Sequence, residues 1–476
     1  MIGKGPGKRD AISLDAQGCD TVTHMLRRFF GDGRFYAVML RIALPIATQS
    51  LVTHLLNAVD VFLIGQKGET AVAAVALSNQ WSLLINVLLL GVGGGTAIFT
   101  AQYWGNQDLP RLRRAFGLGL LVGVVSGILF AATAMLFPRD VLRLYTSDAA
   151  VVALGAPYLR LVGLSYFFLA FTTVFGITLR STHHVKLPVI VSVCALSFKT
   201  VVAYGLIFGR FGLPELGIVG AAIATVVARA IECIALLTLT YRWHLPPALM
   251  PSHMRGVSRA FIATFAATTV PVILNELIWA LGSNVYTGIY ARIGTESVAA
   301  VNIATTIENV ALVPMFGLGN ACAIILGNAL GAGNSDQARD YSRKFLALAF
   351  TIGLGLGGLM LGTSRFIPGA YNISPEAAMY AHRIMTVMGL ALWLKACNLM
   401  VVMGILRSGG DTRFCLAIDA GSMWLVGIPF ALLGAFVLRL PVHLVVVMAI
   451  LGDEFTKFLL GMWRVRSGQW LRNVTA

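Results

Sequence analysis

The sequence predicts an all-α polytopic membrane protein with twelve transmembrane helices, arranged as two six-helix lobes related by a parallel internal repeat. Hydrophobic residues make up 57 % of the 476-residue chain and charged residues only 12 %, which is more apolar than a soluble domain tolerates. Continuous apolar runs such as 81–101, 118–137 and 345–361 approach or exceed the ~20 residues that cross a bilayer as a helix. Because these runs do not alternate between apolar and polar residues, membrane-spanning strands are excluded.

The repeat is visible in two short segments, LIGQKGETAVAAVAL (63–77) and YARIGTESVAAVNI (290–303). They align with Gly68 over Gly294, an offset of 294 − 68 = 226 residues, which also places Pro45 on Pro271 and Gly105 on Gly331. Halves that align over most of their length indicate a duplicated unit. Because six helices is an even number, the second copy enters the membrane in the same direction as the first, and the pseudo-two-fold axis lies along the membrane normal.

The apolar runs and the Gly and Pro positions between them predict the helices in order. They cover residues 36–62, 71–104, 112–137, 150–181, 186–208, 217–241, 259–291, 296–330, 341–366, 376–407, 414–438 and 442–464. Pro246, Pro247 and Pro251 forbid a continuous helix between the lobes. The predicted organisation is therefore an N-terminal tail (1–34), an N-lobe (35–244), a linker (245–258), a C-lobe (259–466) and a C-terminal tail (467–476).

The net charge of +15 is interpreted as topological and not as a nucleic-acid surface. With the N-terminus inside, the cytoplasmic segments hold most of the loop Lys and Arg residues, which predicts two cytoplasmic termini in a multi-pass protein of the plasma (cell inner) membrane. The outer loops then hold only Lys67, Arg139, Arg143, Arg210, Arg292, Arg365 and Arg439. Trp470 and the arginines of the C-terminal tail suit a lipid headgroup layer. Six scattered cysteines predict neither disulfides nor a metal site.

Ionisable residues inside the membrane are functional candidates because each costs at least ~2.5 kcal/mol there. Asp60 lies on the first helix and Glu276 on the seventh, and each of these helices leads its lobe. Counted from the helix ends at 1.5 Å per residue, Lys199 differs from Asp60 by only ~6 Å in height, and Lys395 stands in the same relation to Glu276. We therefore expect two ion pairs, which act either as switches or as static struts.

Other charged residues look structural in the sequence. Arg229 and Glu232, like Glu454 and Lys457, stand three apart on a helix and are expected to neutralise each other. Glu308 and Asp419 have no evident partner. Pro45 and Pro271 predict a hinge or, alternatively, a packing kink in each leading helix. Trp279 and Trp393 could stack against a planar cation, or pack against lipid or core.

Together these motifs resemble those of the multidrug and toxic compound extrusion (MATE) transporters. The matching segments include NAVDVFLIGQKG (57–68), AQYWGNQD (101–108), PVILNE (271–276), LGNALGAGN (326–334) and GILRSGGDTRF (404–414). The resemblance implies a two-lobed exporter with a V-shaped central cavity, which moves organic cations and drugs outward in exchange for protons or sodium ions.

The resemblance carries functional positions over only in part. Asp60 matches the family's first-helix Asp, and Glu276 lies about one turn before the usual seventh-helix Glu. Where relatives have an Asn and an Asp on the fifth helix, this chain has Lys199 and Ala203, and the tenth-helix Asp of sodium-coupled members falls near Lys395. These departures favour protons over sodium. The expected cavity residues are Asn57, Asn275, Trp279, Trp393 and Asn398.

The resulting interpretation is a secondary active antiporter and not an enzyme, because the eight histidines form no catalytic or metal-binding cluster. We expect no cofactor and no metal, cationic or amphipathic small-molecule substrates, the lipid bilayer as surroundings, no nucleic-acid partner and a monomer. The alternatives are a lipid-linked oligosaccharide flippase of the same superfamily and, less in keeping with the repeat, a passive channel.

Overall fold

The computed structural model describes residues 33–254, 256–371 and 373–475, and these residues form twelve long helices and no strand. The first six are α1 Gly33–Gly65, α2 Glu69–Gly105, α3 Leu109–Leu136, α4 Ala149–Ser181, α5 Lys186–Phe208 and α6 Ile218–Arg242. A short helix, Pro138–Arg143, precedes α4. The next five are α7 Arg259–Ile293, α8 Thr295–Gly331, α9 Ser335–Thr363, α10 Pro375–Leu406 and α11 Thr412–Val437. The last, α12, comprises Val442–Ile450, Leu451–Phe455 and Thr456–Ser467.

All twelve predicted helices are present, and local chemistry accounts for several of their ends. The side chains of Asp108, Asp148, Ser258 and Ser374 accept hydrogen bonds from the first free amides of α3, α4, α7 and α10. In the described part of the chain, eleven of the twelve helices are long and apolar enough to span a membrane. The twelfth carries Asp453, Glu454 and Lys457 in its middle. The predicted N-terminal tail lies outside the described residues, except for 33–34, which begin α1.

The ends of α2 and α8 meet in a reciprocal contact that reveals the repeat. A β-carbon on Gly105 would lie 2.0 Å from the carbonyl oxygen of Asn328, and one on Gly331 would lie 1.9 Å from that of Gln102. The repeat offset relates these two contacts to each other, because it takes Gln102 to Asn328 and Gly105 to Gly331. Both helices also end at the same side, so the predicted parallel relation of the two halves is confirmed.

The leading helices α1 and α7 each cross to the opposite lobe. Gly317 of α8 packs against the backbone of Ala43 and Ala47 on α1, and Gly91 of α2 packs against Ile273 on α7. Pro45 and Pro271 lie beside these contacts, at the points where the two helices pass from one lobe to the other. Both helices continue through their proline. A hinge at these prolines stays a prediction. Their position at the crossing points between the lobes is the one that a hinge would require.

The lobes share packing at one end only. We call this the closed end, where α1 begins and α2 ends, and the opposite side the open end. At the closed end, one apolar cluster joins Phe35, Met39 and Ile42 of α1 to the C-lobe, and another joins Phe265 of α7 to the N-lobe. Towards the open end, each lobe has a separate apolar core of its own residues. The lobes therefore form a V.

The C-terminal tail seals the closed end, contrary to its predicted place among lipid headgroups. Trp470 is 1 % exposed, and its carbonyl oxygen lies against Gly409. The buried side chain of Gln102 donates to the carbonyl oxygens of Ser408 and Arg472 and accepts from the amide of Val474. The tail is held there because these backbone groups, once out of contact with water, need the bonds that Gln102 supplies.

Candidate functional site

The N-lobe encloses a cavity of about 480 Å³ between α1, α2, α4, α5 and α6. Its lining mixes apolar side chains with amides, hydroxyls and four charged groups, which is typical of a site for amphipathic small molecules. The charged groups are Asp60, Lys199, Arg229 and Glu232. Asn57, expected from the sequence, also lines this cavity.

Asp60 of α1 and Lys199 of α5 form a salt bridge at the cavity wall, as predicted from their depth. Each side chain is 16 % exposed. Removing either partner alone would leave a poorly solvated, unpaired charge. The pair therefore links the charge state of the cavity to the packing of α1 against α5.

Arg229 and Glu232 form the expected pair on α6, with Nη1 of Arg229 donating to Oε2 of Glu232 at 2.8 Å. Ser192 of α5 donates to the other carboxylate oxygen. The side chain of Arg229 remains 30 % exposed, whereas that of Glu232 is only 5 % exposed. The sequence spacing predicted the pair but gave no sign that it faces the cavity, so both residues were missed as site residues.

Two arginines that correspond in the repeat after a one-residue shift (407 − 180 = 227) reach back to the leading helix of their own lobe. Arg180, from the segment ITLRS, donates to the side-chain oxygen of Gln49 on α1 at 2.8 Å. Arg407, from the segment GILRS, forms a salt bridge of 2.7 Å with Glu276 on α7. The N-lobe thus has a neutral amide where the C-lobe has a carboxylate.

The expected pairing of Glu276 with Lys395 is wrong, because Lys395 donates to both carboxylate oxygens of Glu308 at 2.7 and 2.9 Å. Lys395 lies twenty residues from the start of α10, whereas its partner Glu308 lies only thirteen residues from the start of α8. At 1.5 Å per residue, α10 must start roughly 10 Å further out than α8, so counting from its first residue misplaced Lys395. Glu308, for which no partner was evident, has one.

The C-lobe holds a second buried network around α12. Lys457 lies 2.6 Å from Asp419 and 3.3 Å from Asp453, so its expected pairing with Glu454 is also wrong. Glu454 instead accepts from the side-chain amide of Asn398 at 2.8 Å. The physical reason is a wider π-helical turn at Leu451–Phe455, which changes the direction of the side chains in this segment.

Two more polar groups complete this network. Asn275 of α7 donates to Asp419 at 2.9 Å, and Ser422 of α11 donates to Asp453 at 2.8 Å. Among the described residues, the interior of the C-lobe contains two carboxylates more than cations. The carboxylates are Glu276, Glu308, Asp419, Asp453 and Glu454, and the cations are Lys395, Arg407 and Lys457.

The remaining expected cavity residues lie outside the N-lobe cavity. Asn275 and Asn398 belong to the C-lobe network. Trp393 packs edge-on against Phe350 and Phe458, with ring centroids 5.5 and 5.7 Å away. Trp279 on α7 is 49 % exposed. Stacking of either tryptophan on a ligand stays a prediction. Within the described part of the chain, no three His, Cys, Asp or Glu side chains are grouped to hold a metal ion.

Comparison with known proteins identifies a family model and curated relatives that match this chain. A family model described as MatE matches residues 45–205 and 271–433, two segments that begin at Pro45 and Pro271. The chain is 28 % identical over 410 residues to a probable multidrug resistance protein NorM of Bradyrhizobium diazoefficiens, covering 83 % of this chain and 86 % of that protein. It is 25 % identical over 369 residues to a probable multidrug resistance protein YoeA of Bacillus subtilis, covering 76 % and 79 %.

The fold is similar to that of solved structures. One is described as the outward-facing conformation of a multidrug resistance MATE family transporter of the MOP superfamily. It superposes with a TM-score of 0.82 at 19 % identity, and the alignment covers 93 % of this chain and 98 % of that one.

Proposed function

The chain belongs to the MatE family, whose members are transporters and not enzymes, and we propose that it exports cationic and amphipathic drugs by antiport with protons. The antiport partner, the substrate class and a monomeric protein in the plasma (cell inner) membrane are parts of this proposal. With both termini in the cytoplasm, the closed end faces the cytoplasm and the V opens outward. Export then consists of rocking the two lobes between this state and one that opens inward.

The observation that carries the proposal is the position of the Glu276–Arg407 pair beside the contact between the lobes. Arg407 is buried, and its Nη1 lies 3.9 Å from the place that a β-carbon on Gly94 of α2 would occupy. A proton bound to Glu276 would leave the guanidinium without its counter-charge at this contact. An unpaired buried charge is strongly destabilising, so proton binding favours a different packing of the lobes.

The Asp60–Lys199 pair gives the cavity a matching switch. A proton on Asp60, or the positive group of a substrate, competes with Lys199 for the same carboxylate. Proton and substrate therefore exclude one another at Asp60, which is the condition for exchange and not co-transport. When the salt bridge breaks, the packing of α1 against α5 changes. Because α1 leads the N-lobe, the conformation of that lobe changes with it.

Protons suit these sites better than sodium ions. A sodium ion needs several oxygen ligands around a vacant position. At both Asp60 and Glu276, the position next to the carboxylate holds a Lys or Arg side chain instead. A proton needs no vacant coordination position, because it binds to one carboxylate oxygen and removes the charge that holds the Lys or Arg side chain. Sodium remains the second coupling ion of the proposal because the family uses both.

The test is export by Glu276→Gln, reconstituted in liposomes and driven by a pH gradient. The variant keeps the shape of the side chain but cannot take up a proton. We expect gradient-driven export to be lost while the protein still inserts and folds, with a lower melting temperature because the buried Arg407 loses its counter-charge. Glu69→Gln, the same change at an exposed position at the start of α2, should export normally. Normal export by Glu276→Gln would refute the assignment.

A further inference from the structure

The charges in the interior of the N-lobe do not cancel. The cavity lining holds two carboxylates, Asp60 and Glu232, and two cations, Lys199 and Arg229. Arg180, which lies outside the lining, adds a third cation. Arg180 donates to the neutral Gln49, and the described residues supply no carboxylate within salt-bridge distance of it. The interior of the N-lobe therefore holds one positive charge in excess, in contrast to the C-lobe with its excess of carboxylates.

Arg229 has unused donor capacity that faces the cavity. A guanidinium carries five N–H donors, and the described contacts use one of them, from Nη1 to Glu232. Glu232 is less available to a ligand, since each of its oxygens already accepts one hydrogen bond, from Ser192 or Arg229, and its side chain is buried. Of the two partners, the cation is the more exposed one, at 30 % against 5 %. A molecule in the cavity therefore meets donors at this point and not a free carboxylate.

The second ion pair lies further out along the same cavity. Asp60 is five residues from the open end of α1, about 8 Å at 1.5 Å per residue, whereas Arg229 is eleven residues into α6, about 16 Å. A solute that enters from the open end passes Asp60 and Lys199 before it reaches Arg229. The cavity lining also includes Tyr158, Tyr166 and Ser82, and the two tyrosines offer apolar faces for a ring system.

We propose that this cavity binds amphipathic compounds that carry a carboxylate or a similar anionic group, zwitterions included, and that Arg229 binds the anion. The inference rests on the proposed export function and narrows its substrate class. An arginine donates two parallel hydrogen bonds to a carboxylate, and charge-assisted bonds of this kind are about twice as strong as neutral ones. One bound anion also neutralises the excess charge of the N-lobe. A purely cationic compound gains neither interaction.

The test compares two dyes that differ in one charge. A rhodamine with a free carboxylate and its methyl ester share their ring system, and fluorescence anisotropy measures the binding of each to the purified full-length protein. We expect the acid to bind on the order of tenfold more tightly than the ester, the equivalent of one charge-assisted hydrogen bond. Arg229→Gln should bring the two affinities together. Arg143→Gln, a change at an exposed arginine outside the cavity, should leave the ratio unaltered.

A second variant should increase the preference for the acid over the ester, the opposite of the effect expected for Arg229→Gln. Glu232→Gln removes the carboxylate that competes for the guanidinium, so the acid should bind several-fold more tightly than to the wild-type protein. This result does not depend on the stability of Arg229→Gln. Equal binding of acid and ester to the wild-type protein, or a preference that survives Arg229→Gln, would overturn the inference.

The same dyes separate this inference from the proposed function. Export of the methyl ester along a proton gradient tests the transporter and does not involve Arg229. If the ester is exported but the acid shows no preference, the assignment of Arg229 fails and the antiport proposal stands. If the acid is preferred in binding but no gradient drives export of either dye, the proposed coupling fails and the binding site stands.

Discussion

The contact between Gly105 and Gly331 offers a direct way to weaken the closed end. A β-carbon at Gly105 would lie 2.0 Å from a backbone oxygen of α8, whereas ordinary contacts begin at 3.4 Å. Gly105→Ala therefore requires the ends of α2 and α8 to separate by 3.4 − 2.0 = 1.4 Å, since backbone atoms cannot rotate away. Overpacking of this kind costs roughly 1–3 kcal/mol. Unlike a cavity mutation, it acts only in the state in which the closed end is closed.

We expect Gly105→Ala and Gly331→Ala each to shift the equilibrium towards the inward-open state by about fivefold or more, because 1 kcal/mol is already a factor of about five. The free-energy cost of the double variant should be smaller than the sum of the two single costs. The first methyl group already separates the helix ends, so the second one fits with less strain. Leu109 and Ser335 are exposed, repeat-related positions at the closed end. Spin labels on Leu109→Cys and Ser335→Cys give the distance between these positions by double electron–electron resonance.

Gly288→Ala is the matched control, since nothing lies within 4 Å of a β-carbon placed there. It should leave the distance distribution between the labels as in the wild-type protein. If Gly105→Ala and Gly331→Ala give that same distribution, the reciprocal contact does not hold the lobes together, and the argument from the repeat is refuted.

Three further predictions follow from single contacts. Lys199→Ala strands the carboxylate of Asp60 and should lower both export rate and melting temperature more than the double variant with Asp60→Asn, whereas additive effects in the double-mutant cycle would show that the two side chains act independently. The pKa of His183 is lowered in the closed state, mainly by burial and further by the charges of His184 and Arg41. There its neutral ring accepts a hydrogen bond from the side-chain amide of Asn328. That bond is fully present above the ordinary pKa of about 6.5 and is lost as the pH falls through the lowered value, so acid should widen the label distance, and His183→Gln should abolish the pH dependence. Gln102→Leu leaves buried backbone groups of the C-terminal tail unpaired at about 1–3 kcal/mol each, and an unchanged melting temperature would show that the tail is not held by this side chain.

The fold was predictable because its signals are local or repeated. Apolar runs fix the helices, and the offset between the two halves fixes their parallel relation. The crossing of α1 and α7 at Pro45 and Pro271 was not predictable, because a proline pattern shows where a helix can bend and not which neighbour it then contacts. The burial of Trp470 was missed for a similar reason, since a tail rich in arginine is equally typical of a membrane surface.

The ion pairs show where counting along a helix works and where it fails. Asp60 and Lys199 were paired correctly because they lie five and nine residues from the ends of α1 and α5, a difference that the long Lys side chain spans. Lys395 was paired with Glu276 incorrectly because α10 starts further out than its neighbours, which only the assembled structure shows. The pair of Arg229 and Glu232 followed from the spacing on α6, but the direction in which that face points depends on packing with α5 and had no signal in the sequence.

Accumulation of the rhodamine methyl ester in liposomes shows whether a proton gradient drives export. The wild-type protein is reconstituted and oriented with its closed end outward, and a gradient of protons and then one of sodium ions is imposed with the lumen at the higher concentration. We expect accumulation driven by the proton gradient, with collapse on addition of a protonophore and little response to sodium. Accumulation that neither gradient changes would contradict cation-coupled export, and accumulation driven by sodium alone would contradict the proton sites assigned to Asp60 and Glu276.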